Sequence, residues 1–122
     1  MAMVTVTKED FETAATSRDI VLVDGWAPWC GPCRAFAPVF EKASDTHSDL
    51  VFAKVDTEAE QELAAAFDIM SIPTLMILRD KVIVYREGGA LPAPAMDELI
   101  GKVRDLDMAE IHRRIAESNV AS

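Results

Sequence analysis

Apolar positions fall in short, separated blocks, and two periods alternate along the chain. Ile20-Val21-Leu22-Val23 is an unbroken apolar run that, continued to residue 27, predicts a central strand covered on both faces. Leu50-Val51-Phe52-Ala53-Lys54-Val55 predicts another strand, and residues 3–6 a short first one. Thr74-Leu75-Met76-Ile77-Leu78 and Val82-Ile83-Val84-Tyr85 flank Arg79-Asp80-Lys81 as a hairpin, which Gly88-Gly89 ends. Between the strands the period lengthens. Thr7 with Asp10 three residues on resembles a capping box for a helix reaching about residue 16. An amphipathic stretch over residues 34–46 predicts a second helix, with Pro38 to kink it. Residues 58–67 carry apolar spacing at Leu63, Ala66 and Phe67. Pro92 and Pro94 precede a helix from about residue 95, whose apolar face is Leu99, Ile100, Val103 and Leu106. The order β-α-β-α-β-α-β-β-α predicts an α/β fold, a mixed sheet with helices on both faces.

The tail carries a second stripe. Met108, Ile111 and Ile115 cluster roughly 120° around a helix from the Leu99–Leu106 stripe. Either the helix stops near Leu106 and another begins, with Asp107 as N-cap and Glu110 at N3, or one long helix bears two faces. Such a tail folds back on the domain, meets a second copy or a partner, or frays.

At 122 residues, without repeats, low-complexity tracts or linkers, the chain reads as one domain. A net charge of −9 excludes phosphate-backbone binding, which needs a basic face, so no nucleic acid is expected; the acidity serves solubility. No apolar run approaches the ~20 residues that span a bilayer. Residues 1–7 show neither a cationic start nor an apolar core of a secretory signal, which predicts a cytoplasmic protein with no membrane partner.

The chemistry lies in Asp24-Gly25-Trp26-Ala27-Pro28-Trp29-Cys30-Gly31-Pro32-Cys33, which holds both cysteines. A strand, a Gly-Pro turn and a helix opening on the first thiol make a redox site. As a staple the pair is badly placed: closing four residues stabilises a fold by ~2 kcal/mol, against ~4.7 for a hundred-residue loop. In a reducing compartment such a disulfide cycles rather than persists. A free cysteine is only about 3% thiolate at pH 7, and a helix N-terminus raises that fraction at Cys30. Cys33, one turn into the helix and shielded by Trp29 and the sheet, then waits as the resolving thiol. Pro32 presets φ for the first turn, and Gly31 keeps the approach to sulfur open.

Trp29-Cys30-Gly31-Pro32-Cys33 after Val23-Asp24-Gly25-Trp26-Ala27 resembles the thioredoxin family. The likeness continues through Pro38, Phe52-Ala53-Lys54-Val55-Asp56, Ile72-Pro73-Thr74 and Gly89-Ala90, over roughly residues 4–106. It implies a thioredoxin-like three-layer α/β/α fold on residues 1–106, with residues 107–122 as a helical extension of the same domain. Cys30 is implied as nucleophile and Cys33 as resolving cysteine of a redox-active disulfide. Asp24 matches the family's buried acid, with a raised pKa and a role as proton acceptor for Cys33. Lys54 matches the lysine beside that acid. Ile72-Pro73 matches a cis-proline segment whose backbone pairs with an extended substrate. Trp29, Gly31, Pro32, Ile72, Pro73, Gly89 and Ala90 are the implied substrate surface, while Trp26 reads as core.

The resemblance further implies a protein-disulfide reductant with no bound cofactor, recycled by a thioredoxin reductase that spends NADPH, and acting on disulfide-containing clients as a monomer, with a tail-mediated dimer as the alternative. Three positions depart from the family. Gly25 replaces the usual aromatic, which predicts open space and a looser strand. Arg34 replaces a commoner Lys, a neutral exchange. Arg79-Asp80-Lys81 lacks the usual glycine, so Asp80 is expected at positive φ. Two other roles compete. One is a metal centre, for which the chain offers only Cys30, Cys33, His47 and His112 without a close second pair. The other is a redox-independent binding or assembly subunit that docks through its tail.

Overall fold

The computed structural model describes residues 3–121, with side chains through Ser118. Ten elements follow in order: β1 Met3–Thr5, α1 Phe11–Thr16, β2 Ile20–Trp26, α2 Gly31–Thr46, β3 Val51–Asp56, α3 Gln61–Ala66, β4 Thr74–Arg79, β5 Val82–Gly88, α4 Ala93–Arg104 and α5 Met108–Ala121. The five strands form one sheet in the order β1-β3-β2-β4-β5. β1, β3 and β2 run parallel, whereas β4 and β5 are antiparallel to their neighbours. The expected mixed sheet with helices on both faces is what the chain builds.

Side-chain alternation sorts the core. Leu22, Phe52, Leu75 and Ile77 face α2 and α4, where they meet Phe36, Phe40, Met96, Ile100 and Val103. Val21, Val23, Val55, Met76 and Leu78 face the opposite layer, against Phe11 and Ala15 of α1 and Leu63 of α3. Burial on both faces explains why β2 reads as an unbroken apolar run.

The boundaries differ from the sequence-based expectations where polar side chains intervene. Asp10 does reach back to Thr7, accepting from its N–H at 2.5 Å, but α1 starts only at Phe11, with Asp10 itself at the N-cap. The Asp56 carboxylate takes the N–H groups of Glu58 and Ala59 at 3.0 and 3.2 Å, which holds residues 57–60 in a turn and delays α3 to Gln61. Pro94 lies within the first turn of α4, where its missing N–H costs nothing, so that helix begins at Ala93 rather than near residue 95. β5 runs on to Gly88, because Gly88 still pairs with Thr74.

At the hairpin Asp80 and Lys81 both adopt positive φ, 54° and 67°, the mirror-image turn that matches strand twist. The tail is two helices. Asp107 Oδ1 accepts the Glu110 N–H at 3.1 Å, capping α5 as the first alternative required. Arg79, at the end of β4, donates to the carbonyls of Val103, Arg104 and Leu106 at 2.7, 3.1 and 2.9 Å, closing the last turn of α4. α5 then lies near the hairpin, with His112 Nε2 3.2 Å from Asp80 Oδ2. Met108 and Ile111 are half-buried, and Ile115 is exposed.

Candidate active site

Cys30 is the N-cap of α2, and its sulfur accepts the backbone N–H of Cys33 at 3.2 Å. That position points the sulfur at the unpaired donors of a 16-residue helix. The two cysteines form a disulfide, with Cα atoms 5.2 Å apart. Both are buried, 4% and 3% exposed, in a small cluster with Ala27, Trp26 and Ile72. The expected shield over Cys33 is therefore Trp26 and Ile72, not Trp29. The Trp29 indole is 66% exposed and donates from Nε1 to Glu58 Oε2 at 2.7 Å. Gly31 and Pro32 open the helix on the exposed side. Arg34 donates to the Pro28 carbonyl at 3.0 Å, so it ties down the loop before Cys30 rather than standing free.

The opposite wall is the β4 entrance. The Ile72-Pro73 peptide is cis, and the Ile72 carbonyl oxygen is 3.8 Å from Cys30 Sγ. Pro73 accepts the Gly89 N–H at 2.8 Å, and Gly89 adopts φ 105°, which brings the segment carrying exposed Ala90 beside the cis-proline. Cys30, Cys33, Ile72, Pro73 and Gly89 thus share one end of the sheet.

Asp24 lies in the middle of β2, 1% exposed, and neither carboxylate oxygen has a hydrogen-bond partner. Desolvation pushes its pKa up from 3.8 to about 6, and the Lys54 charge pulls the other way. Asp24 and Lys54 are register partners in β2 and β3. The Lys54 ammonium rests over the Trp26 ring, 4.7 Å from its centroid. Asp24 makes no hydrogen bond to Cys33.

Gly25 does not leave the expected space. A Cβ built there would stand 3.2 Å from Ile69 Cδ1 and 3.6 Å from Thr57 Cγ2, so Ile69 occupies the notch. Sequence reasoning missed Ile69 and Glu58, because each reaches the site only through long-range contacts, Ile69 with Gly25 and Glu58 with Trp29. The histidines serve elsewhere: His47 meets Asp97 and Arg104, and His112 meets Asp80. Among the described residues no group of three or more His, Cys, Asp or Glu is placed to hold a metal.

A family model, Thioredoxin, matches residues 2–111. The chain is 54% identical over 114 residues to a protein named putative thioredoxin 2 from Streptomyces coelicolor, covering 93% of this chain and 85% of that one. It is 44% identical over 103 residues to the thioredoxin of Bacillus subtilis, covering 84% and 98%. Among solved structures, a mutant thioredoxin from Halobacterium salinarum superposes with a TM-score of 0.79 at 30% identity, covering 85% of this chain and 92% of that one. A helix-capping cysteine pair facing a cis-proline, on this sheet order and with these relatives, has one meaning: the chain belongs to the thioredoxin family of thiol–disulfide oxidoreductases.

Proposed function

We propose that this thioredoxin is a cytoplasmic reductant of protein disulfides, with Cys30 as nucleophile and Cys33 as resolving thiol. The observation that carries the roles is the N-cap position of Cys30, whose sulfur accepts the Cys33 N–H beside the Ile72 carbonyl. In the reduced protein that N–H and the helix N-terminus favour the Cys30 thiolate. The thiolate attacks one sulfur of a client disulfide, forms a mixed disulfide and expels the other client sulfur as thiolate. Cys33 gives its proton to Asp24 by way of a water and attacks Cys30 Sγ. The second client thiolate leaves, and Cys30–Cys33 is oxidised as the client gains two electrons and, from solvent, two protons.

Asp24 suits its part because burial holds its pKa at about 6: it is ionised at neutral pH, yet poorly solvated and ready to accept a proton. Lys54 moderates the cost of that charge. The client lies across Trp29, Gly31, Pro32, Ile72, Pro73, Gly89 and Ala90, pairing with the Ile72 backbone as an added strand. A flavin-dependent thioredoxin reductase returns the electrons from NADPH, and the protein itself holds no cofactor and works as a monomer. Residues 1–106 carry the activity, with residues 107–122 as an extension of the same domain.

Insulin-disulfide reduction with NADPH and a thioredoxin reductase tests this. Wild type is expected to turn over, and Cys30→Ser to lose at least a thousandfold. Wild type without turnover, while dithiothreitol still opens Cys30–Cys33, would favour a redox-independent binding role instead.

A further inference from the structure

Arg34 is a cation at the wrong end of its helix. α2 opens Gly31-Pro32-Cys33-Arg34, so a guanidinium is the one charge in a first turn whose dipole favours anions. Composition does not put it there, because the chain holds 21 acidic residues against 12 lysines and arginines. A local rule broken without a gain to the fold marks a place where function supplies the gain.

The side chain is held in place. Arg34 donates from its backbone N–H to the Cys30 carbonyl at 3.2 Å and from Nη1 to the Pro28 carbonyl at 3.0 Å. The Cys30 N–H closes the same turn onto the Ala27 carbonyl at 3.1 Å. Both hydrogen bonds of Arg34 thus end on the turn that carries the nucleophile. Pro28 lies two Cα steps from Cys30, at most about 7 Å, which puts the guanidinium on the order of 10 Å or less from the sulfur. That is about one Debye length at 0.1 M salt, so the charge is felt at the sulfur and is weakened by added salt. A guanidinium is a permanent cation, and its field does not titrate away.

We propose that Arg34 is a positioning residue of the exchange reaction: it sets a fixed positive charge over the Cys30 turn, which favours the thiolate and hence the dithiol over the disulfide. The proposal rests on Cys30 being the nucleophile. Oxidation by glutathione disulfide turns the Cys30 thiolate and the Cys33 thiol into Cys30–Cys33, releasing one glutathione as thiolate and the other as thiol. The anion then leaves the field of Arg34, so removing that charge favours oxidation. The neighbouring charges are Asp24 on β2, Lys54 and Asp56 on β3, and Glu58 before α3, while Ser71-Ile72-Pro73-Thr74 brings none. All of them stay when Arg34 is replaced.

The test alkylates the reduced full-length protein with iodoacetamide between about pH 5 and pH 9 and reads the labelled cysteine by peptide mass. Arg34→Met keeps the stem and removes the charge; Arg34→Lys keeps the charge. The midpoint of Cys30 labelling is expected to rise by about half a pH unit in Arg34→Met, roughly a threefold slower reaction at pH 6, and to stay near wild type in Arg34→Lys. The glutathione equilibrium at pH 8 should move about two- to threefold towards the disulfide in Arg34→Met. Both differences should shrink in 1 M sodium chloride, where the Debye length is about 3 Å; the loss of a carbonyl tether alone would survive the salt. An Arg34→Met profile that overlays wild type, a shift that persists in 1 M salt, or an Arg34→Lys profile displaced as far as that of Arg34→Met overturns the role of Arg34 alone. Labelling of Cys33 in place of Cys30 in wild type overturns the nucleophile assignment, and this proposal with it.

Discussion

Asp24 is the residue whose chemistry departs furthest from its unfolded state. Its pKa rises from 3.8 unfolded to about 6 folded, so below pH 3.8 both states are protonated and the group is neutral to stability. Between those values the unfolded chain ionises first, and the fold loses stability as pH rises. Above about pH 6 the loss levels off at roughly 3 kcal/mol. Oxidised Asp24→Asn is therefore expected to exceed wild type by up to about 3 kcal/mol at pH 7.5 and to match it more closely at pH 4. Urea unfolding at both pH values measures this, and parallel pH profiles for the two proteins would count against it. The acid itself was legible as a lone carboxylate in an apolar run. Its isolation was not, because sequence does not show that Lys54, its register partner, lies over Trp26 instead.

Between elements, the coupling that matters joins β2 to the segment before β4. Ile69 reaches the strand because Gly25 has no side chain. Gly25→Phe alone should overpack this contact and cost about 1–3 kcal/mol. Ile69→Ala alone should cost about 1–2 kcal/mol, reduced from a full core loss because Ile69 is only half-buried. The double variant should cost less than the sum, since the ring then enters the volume Ile69 leaves. Urea unfolding of all four forms gives the coupling, and strict additivity would show that the two sites do not interact. A glycine in a strand advertises a gap; which residue fills it depends on a chain segment more than forty positions away.

For the molecule as a whole, the described side chains of the tail helix add nothing to either core cluster. Among the described side chains of α5 none is buried; Met108 and Ile111 are half-covered, and His112 meets Asp80 at the surface. Arg79 closes α4 through Val103, Arg104 and Leu106, before α5 begins. Ending the chain after Leu106 should thus cost less than about 2 kcal/mol and leave insulin reduction intact. A truncated protein that fails to fold cooperatively in urea would place the tail within the core instead.

The strands, four of the helices, the thiol pair and its neighbours were legible in order because they depend on local facts: two-sided burial makes β2, β3 and β4 mainly apolar, and the Gly-Pro turn between cysteines states its own chemistry. Helix starts shifted where a side chain such as Asp56 captured backbone N–H groups before the helix could. The tail's two stripes required a break or a long helix, and Arg79, from another element, settled it as a break. Local pattern determined which elements form and where the reacting sulfur stands. Tertiary structure alone decided the unpaired state of Asp24, the turn of Trp29 towards Glu58, the filling of Gly25 by Ile69 and the exposure of Met70. Each of these is a contact, or the lack of one, between residues far apart in the chain, and periodicity carries no information about such pairs.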